Sequence, residues 1–150
     1  MRQRVGRTAG AICGAALALV LSHDGMHAAG PDGPPRQASL TGRPGNADNG
    51  RALALARERG NCGACHAIPG AADTTASSMG PSLQGVARRL AEDQMRYLVV
   101  DPRRYRPATI MPAYHRTEGL VRVARALEGK PVLSADETED VVAFLMTLRE

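Results

Sequence analysis

Cys62 and Cys65 stand three positions apart and His66 follows at once, in the run Cys62-Gly63-Ala64-Cys65-His66, and no other feature of the chain restricts its fold as much. Two thiols at this spacing share one helical turn, so each can add to one vinyl group of a porphyrin while the adjacent imidazole meets the iron from below the ring. Three Cys and four His scattered through 150 residues would give the pattern by accident on the order of 0.002 times. Two other readings compete. A redox or disulfide pair normally follows a strand at a helix N-terminus, whereas here a helical pattern and Gly60-Asn61 precede the motif. A zinc site needs four ligands, and downstream only His115 and acids remain. The motif therefore predicts one covalently bound haem c, attached through Cys62 and Cys65, with His66 on the iron. One Phe, three Tyr and no Trp are a thin supply for a core, and a buried porphyrin would replace several large side chains.

The first 29 residues read as a secretory signal peptide. Arg2, Arg4 and Arg7 precede an uncharged apolar stretch from Ala9 to Leu21, and small residues follow up to Gly30. Thirteen residues of helix reach about 20 Å, short of the roughly 30 Å hydrocarbon core, so the stretch is too short for an anchor. The N-terminal region has no Arg-Arg pair, which favours export of an unfolded chain. Cys13 lies within the apolar stretch and leaves with it. Residues 30–46, rich in Gly and Pro, read as a flexible leader, and 47–150 as the folded domain. The expected location is the periplasm, with no membrane span in the mature protein.

Without residues 1–29 the chain keeps 16 basic and 14 acidic groups of the original 19 and 15, a net of +2. No basic face is interleaved with stacking aromatics, so nucleic acid is excluded as a partner. The charge is uneven. Nine Arg between Arg88 and Arg125 face four acids, while residues 126–150 carry six acids against Lys130 and Arg149. A solvated surface and a docking face for an anionic partner both fit this run.

Helical periodicity, and no alternating strand pattern, runs through the domain, which predicts an all-α fold. The first helix is expected from Asp48 as N-cap to Arg59, stopped by Gly60. A short helical stretch through Val86, a helix over Glu92–Val100 closed by Asp101-Pro102, and a helical pattern at Leu120, Val123, Ala124 and Leu127 follow. Ser134 with Glu137 forms a capping box that opens a last helix bearing Val141, Val142, Leu145 and Leu148 on one side.

The iron's sixth ligand decides between electron transfer and substrate binding. The candidates are Met79, Met95, Met111, His115 and Met146. Met95 and Met146 sit in helical patterns and read as core fillers. Met79, thirteen residues after His66 and followed by Gly80-Pro81, lies close to the proximal side. Met111 sits in the nonhelical run Thr109-Ile110-Met111-Pro112, where the proline keeps the chain extended and lets the thioether project across the distal face. Met111 is the expected ligand, with His115 in reserve. The Pro81 carbonyl is placed to accept the His66 Nδ1 proton and orient the ring. No nucleophile or acid/base pair forms a catalytic constellation of the chain's own.

These residues resemble the class I cytochromes c, and within them the SoxX family, the monohaem subunit of the SoxAX sulfur-oxidation complex. The resemblance spans about 100 residues from Asp48 to the C-terminus. It is carried by Gly60-Asn61-Cys62-Gly63-Ala64-Cys65-His66, by Met79-Gly80-Pro81-Ser82-Leu83, by Pro107-Ala108-Thr109-Ile110-Met111-Pro112-Ala113-Tyr114, and by Gly129-Lys130-Pro131-Val132-Leu133 running into Glu139–Leu148. The short 67–78 loop and the Arg-rich 120–126 segment depart from the family pattern. The resemblance implies the class I fold, with the N- and C-terminal helices packed together, Gly50 at their close contact and Phe144 beside it. It also implies His66/Met111 ligation and an electron-accepting role beside a SoxA-type larger cytochrome subunit. That complex couples thiosulfate oxidatively to a cysteine of a SoxYZ-type carrier protein, as an L-cysteine S-thiosulfotransferase, and passes electrons to a small electron-accepting cytochrome. A free-standing shuttle for another oxidase or reductase is the rival expectation, and a ligand-binding or peroxidatic haem protein a third.

Replacing either Cys62 or Cys65 by Ser should leave at most one thioether, and replacing both should prevent holoprotein formation and leave the domain largely unfolded. Mass spectrometry and circular dichroism check this; a well-folded apoprotein of the double variant contradicts it.

Overall fold

The computed structural model describes residues 33–71 and 79–150. The expected signal peptide, Cys13 and the Thr/Ser-rich part of the 67–78 loop lie outside the described residues. Among the described residues, four α-helices carry the domain: α1 (Ala47–Leu55), α2 (Val86–Arg89), α3 (Glu92–Val100) and α4 (Ala135–Thr147), with short 3-10 turns at Cys62–Ala64, Pro102–Arg104 and Arg125–Leu127. Among the described residues there is no strand, and no helix is long and apolar enough to cross a membrane.

α1 and α4 form the base of the fold, and each is started by side chains that satisfy its free N–H groups. Asn46, not Asp48, caps α1, its side chain accepting from the Asn49 amide at 3.0 Å. Asp140 of α4 also reaches this end, accepting from the Asn46 amide and from Asn49 Nδ2, both at 2.6 Å. At α4 the capping box expected from Ser134 and Glu137 forms, with reciprocal bonds of 3.2 and 2.9 Å. Asp136 and Glu137 complement the positive end of the helix.

The two helices touch backbone to backbone. A Cβ on Gly50 would lie 1.8 Å from the Asp140 carbonyl oxygen, and one on Gly45 would lie 2.2 Å from that of Glu139. The crossing that the resemblance implies at Gly50 is therefore present, with Phe144 buried one turn further along α4. Ala54 packs inward from α1, and Thr138, Val141, Val142 and Leu145 from α4.

α1 ends at Leu55 rather than running to Arg59. Ala56 turns extended, and the chain folds back so that the Gly60 amide bonds the Leu53 carbonyl at 3.0 Å and Asn61 bonds Ala56 at 3.1 Å. Gly60 fits there because any side chain would strike the Leu53 carbonyl.

α3 matches its expected span. The helical spacing at 119–127, in contrast, forms no α-helix. Only Arg125–Leu127 makes a 3-10 turn, Gly119 and Arg122 take left-handed backbone angles, and Val121 is 84% exposed. A nine-residue amphipathic segment gains little from propensity alone, and no core surface faces this one.

Residues 33–46 also differ from a leader without contacts. They run as an extended strap across α3 and α4, with Gln37 bonding the Asp93 carbonyl at 3.0 Å, Gln94 Nε2 donating to Pro34 O at 3.1 Å, and the Leu40 amide donating to Glu139 at 2.7 Å. Beneath the strap lies a buried ion pair. Arg96 Nε meets both carboxylate oxygens of Glu139 at 3.0 Å, NH1 donates to Gln37 O at 3.1 Å, and NH2 also meets Glu92. Every nitrogen of the Arg96 guanidinium and both oxygens of Glu139 thus have partners, the condition under which a buried pair is tolerated.

Gly50→Ala should lower stability by about 1–3 kcal/mol, because the methyl must displace backbone of both helices. Gly129→Ala, at positive φ but facing open space, should cost only the left-handed strain of roughly 1–2 kcal/mol and leave the helix contact intact. Chemical denaturation, together with α1 and α4 amide exchange, separates the two.

Candidate haem site

Above the α1–α4 base lies a cavity of about 520 Å³, within the ~300–1,000 Å³ of small-molecule and cofactor sites. Its walls come from α3 (Met95, Leu98, Val99), from α4 (Val141, Leu145) and from Leu133 just before it. All of these but Leu98 belong to the hydrophobic core, so the core has the form of a shell around the cavity.

One side of the cavity is built by the attachment turn. Asn61, at φ 47°, sends the chain into the Cys62–Ala64 turn, and the His66 amide closes it on Cys62 O at 2.9 Å. Cys62 and Cys65 both line the cavity as free thiols. Burial pushes the Cys62 thiol up to about 11, against a smaller lowering by its bond with Tyr114. A redox dithiol depends on a depressed thiol, so this environment does not suit that alternative. Among the described residues no group of three or more His, Cys, Asp or Glu could hold a metal ion, which leaves the zinc alternative without a ligand set.

His66 is oriented from behind. Its Nδ1 lies 2.7 Å from the Pro81 carbonyl, and since a carbonyl only accepts, Nδ1 carries a proton here, which directs Nε2 of the neutral ring to a ligand. Gly80 makes this possible. A Cβ there would fall 2.5 Å from His66 Cε1, and its amide bonds Cys65 O at 2.9 Å, so residues 79–83 lie directly along the attachment turn.

The segment after α3 also lines the cavity. Buried Asp101 accepts from the Arg103 amide at 3.2 Å and from Arg116 at 3.0 Å, and the turn from Pro102 to Thr109 carries the chain to Met111, whose amide donates to Thr109 Oγ1 at 3.2 Å. Met111 lines the cavity and is half-buried against the core. The structure thus brings Cys62, Cys65, His66 and Met111 around one cavity.

The other candidates separate. His115, the reserve ligand, does not line the cavity; its Nδ1 lies 2.9 Å from Leu133 O. Met146 packs against the core away from the cavity. Met95 is buried core and wall at once. Met79 reaches the cavity edge but is 60% exposed. Tyr114 was not singled out from the sequence. It is buried, lines the cavity, and donates from its hydroxyl to Gly60 O at 2.8 Å. Its place three residues after Met111 was the available signal.

The donor set fits a haem: two free thiols at the attachment spacing, an imidazole oriented through Nδ1 by Pro81, a thioether, and a shaped apolar space. Gly80 adds a cradle that a Cβ would fill. The family profile of cytochrome c matches residues 47–149. The chain belongs to the cytochrome c family and carries covalently bound haem c with its iron. It is similar to a chain in the crystal structure of SoxXA from P. pantotrophus, at 38% identity and TM-score 0.69, over 76% of this chain and 89% of that one. Within the cytochromes c it is SoxX-type. No curated protein matches it at a significant level.

Met111→Ala should abolish the weak near-infrared sulfur-to-iron charge-transfer band of the ferric protein and lower the potential, while Met79→Ala should leave both in place. Loss of the band only in the Met79 variant would move the ligand to Met79.

Proposed function

We propose that this chain is the electron-accepting haem subunit of a periplasmic complex with a SoxA-type larger cytochrome. The observation that carries the reading is the placement of His66 and Met111 on one largely apolar cavity, one oriented by Pro81 and the other held in a stapled turn. A haem held by Cys62, Cys65, His66 and Met111 would be coordinated by side chains of this chain alone, and the chemistry it would supply is one-electron exchange rather than substrate binding. The similarity to a SoxXA chain supports the choice of complex.

The chain's own residues perform four tasks. Cys62 and Cys65 tether the group, and His66 ligates with an orientation set by the proton on Nδ1. Met111 supplies a thioether, which favours ferrous iron over a second imidazole and raises the potential, as an electron acceptor needs. The walls from Met95 to Leu145 exclude water, which limits reorganisation during electron transfer.

In the proposed reaction thiosulfate and a carrier cysteine thiol join through a new sulfur–sulfur bond, losing one proton and two electrons. That bond forms at the larger subunit, on a SoxYZ-type carrier. This chain accepts the electrons one at a time and hands them to a small cytochrome. Exposed Arg103, Arg104 and Arg106 flank the Met111 segment, and Arg106 itself borders the cavity. They place positive charge where an acidic redox partner would be steered, over a Debye length of about 8 Å at physiological salt. Export and cleavage of the N-terminal segment complete the reading.

Reconstitution of the holoprotein with the larger subunit and carrier should show thiosulfate-dependent reduction of this chain's haem, and the chain alone should conjugate nothing. A chain that neither binds the larger subunit nor is reduced through it is a free shuttle instead.

A further inference from the structure

Tyr114 sits where three parts of the fold meet. Its amide donates to Val99 O at 3.2 Å, so the segment is fastened to carbonyls that the end of α3 leaves without helical partners. Its carbonyl accepts from the Leu133 amide at 2.9 Å, just before α4. Its hydroxyl crosses to the attachment turn, donating to Gly60 O at 2.8 Å beside the Cys62 sulfur. Burial holds the phenol well above its usual range, so it stays a donor throughout the physiological span.

Only Pro112 and Ala113 separate this fastened residue from Met111, and the proline ring fixes one of the few torsions between them. A displacement of Met111 away from the iron is therefore transmitted to Tyr114 with little slack. The hydrogen bond to Gly60 ties that displacement to the turn that carries both thioethers.

We propose that Tyr114 is a positioning residue: by bonding Gly60 it holds the Met111 segment at a set distance from the attachment turn, and so keeps the thioether on the iron. The proposal rests on the reading of Met111 as the sixth ligand. It adds that the strength of ligation is set partly by a hydrogen bond that touches neither the iron nor the sulfur of Met111.

The test uses ferric holoprotein titrated with imidazole, which displaces a thioether, followed by loss of the near-infrared band. Tyr114→Phe keeps the ring and removes the bond. If the bond favours the closed segment, apparent imidazole affinity rises roughly 2- to 10-fold, the fraction by which the open form gains. A purely structural tyrosine would lower the denaturation midpoint and leave imidazole affinity unchanged, and that result overturns the proposal.

A second measurement needs no substitution. In the unaltered holoprotein, saturating imidazole should shift the infrared band of an isotope-labelled Gly60 carbonyl, because moving the segment breaks the bond that this carbonyl accepts from Tyr114. An unshifted band would equally overturn it. The ligand assignment fails separately: it falls if Met111→Ala retains the band. A band lost in Met111→Ala with no change in Tyr114→Phe removes the positioning role alone.

Discussion

An apolar space of about 520 Å³ in the middle of a domain with a single Phe and no Trp constrains everything around it. Side chains that border an unfilled apolar space lose their contact partners on that side. Here the wall residues Met95, Val99, Leu133, Val141 and Leu145 are also the buried core. The haem therefore completes the core, and the protein's packing and its redox site are one object. In the proposed attachment the two thiols, and the imidazole held by Pro81, would set the position of the group that the rest packs against.

The opposite surface is stabilised by different physics. α1 and α4 approach until backbone meets backbone, which only Gly45 and Gly50 allow. Asp140 reaches from α4 to the free end of α1, and the Arg96–Glu139 pair joins α3, α4 and the 33–46 strap in one buried network. This rigid base lets the loop-rich stretch between α3 and α4 be irregular. The Met111 segment has no helix to hold it and relies on single hydrogen bonds, from Thr109 and through Tyr114.

Local rules made much of this legible. The capping box at Ser134, the end of α3 at Asp101-Pro102 and the attachment motif depend on neighbours in the chain, and each appears where the residues indicated. The segment 119–127 misled because apolar spacing shows that a helix could bury a face, and not that any surface awaits it. The strap misled for the converse reason. Gly and Pro remove regular structure without removing hydrogen bonds, and its partners, Asp93, Arg96 and Glu139, are 40 or more residues away in sequence. The end of α1 moved from Arg59 to Leu55 because Gly60 folds back on the helix, a close approach that spacing does not encode.

Neighbouring residues carried the expectation of the chemistry: two thiols and an imidazole in one turn predict covalent haem, and Met111 beside Pro112 is the thioether that the chain offers outside a helix. Spacing suffices for this because attachment geometry is local. Tertiary structure alone decided which side chains share the cavity. It turned His115 toward Leu133, left Met79 at the edge, placed Met95 in the wall, and brought Tyr114 across 54 residues to Gly60. Such distances depend on how the helices pack, and no pattern of neighbouring residues contains them.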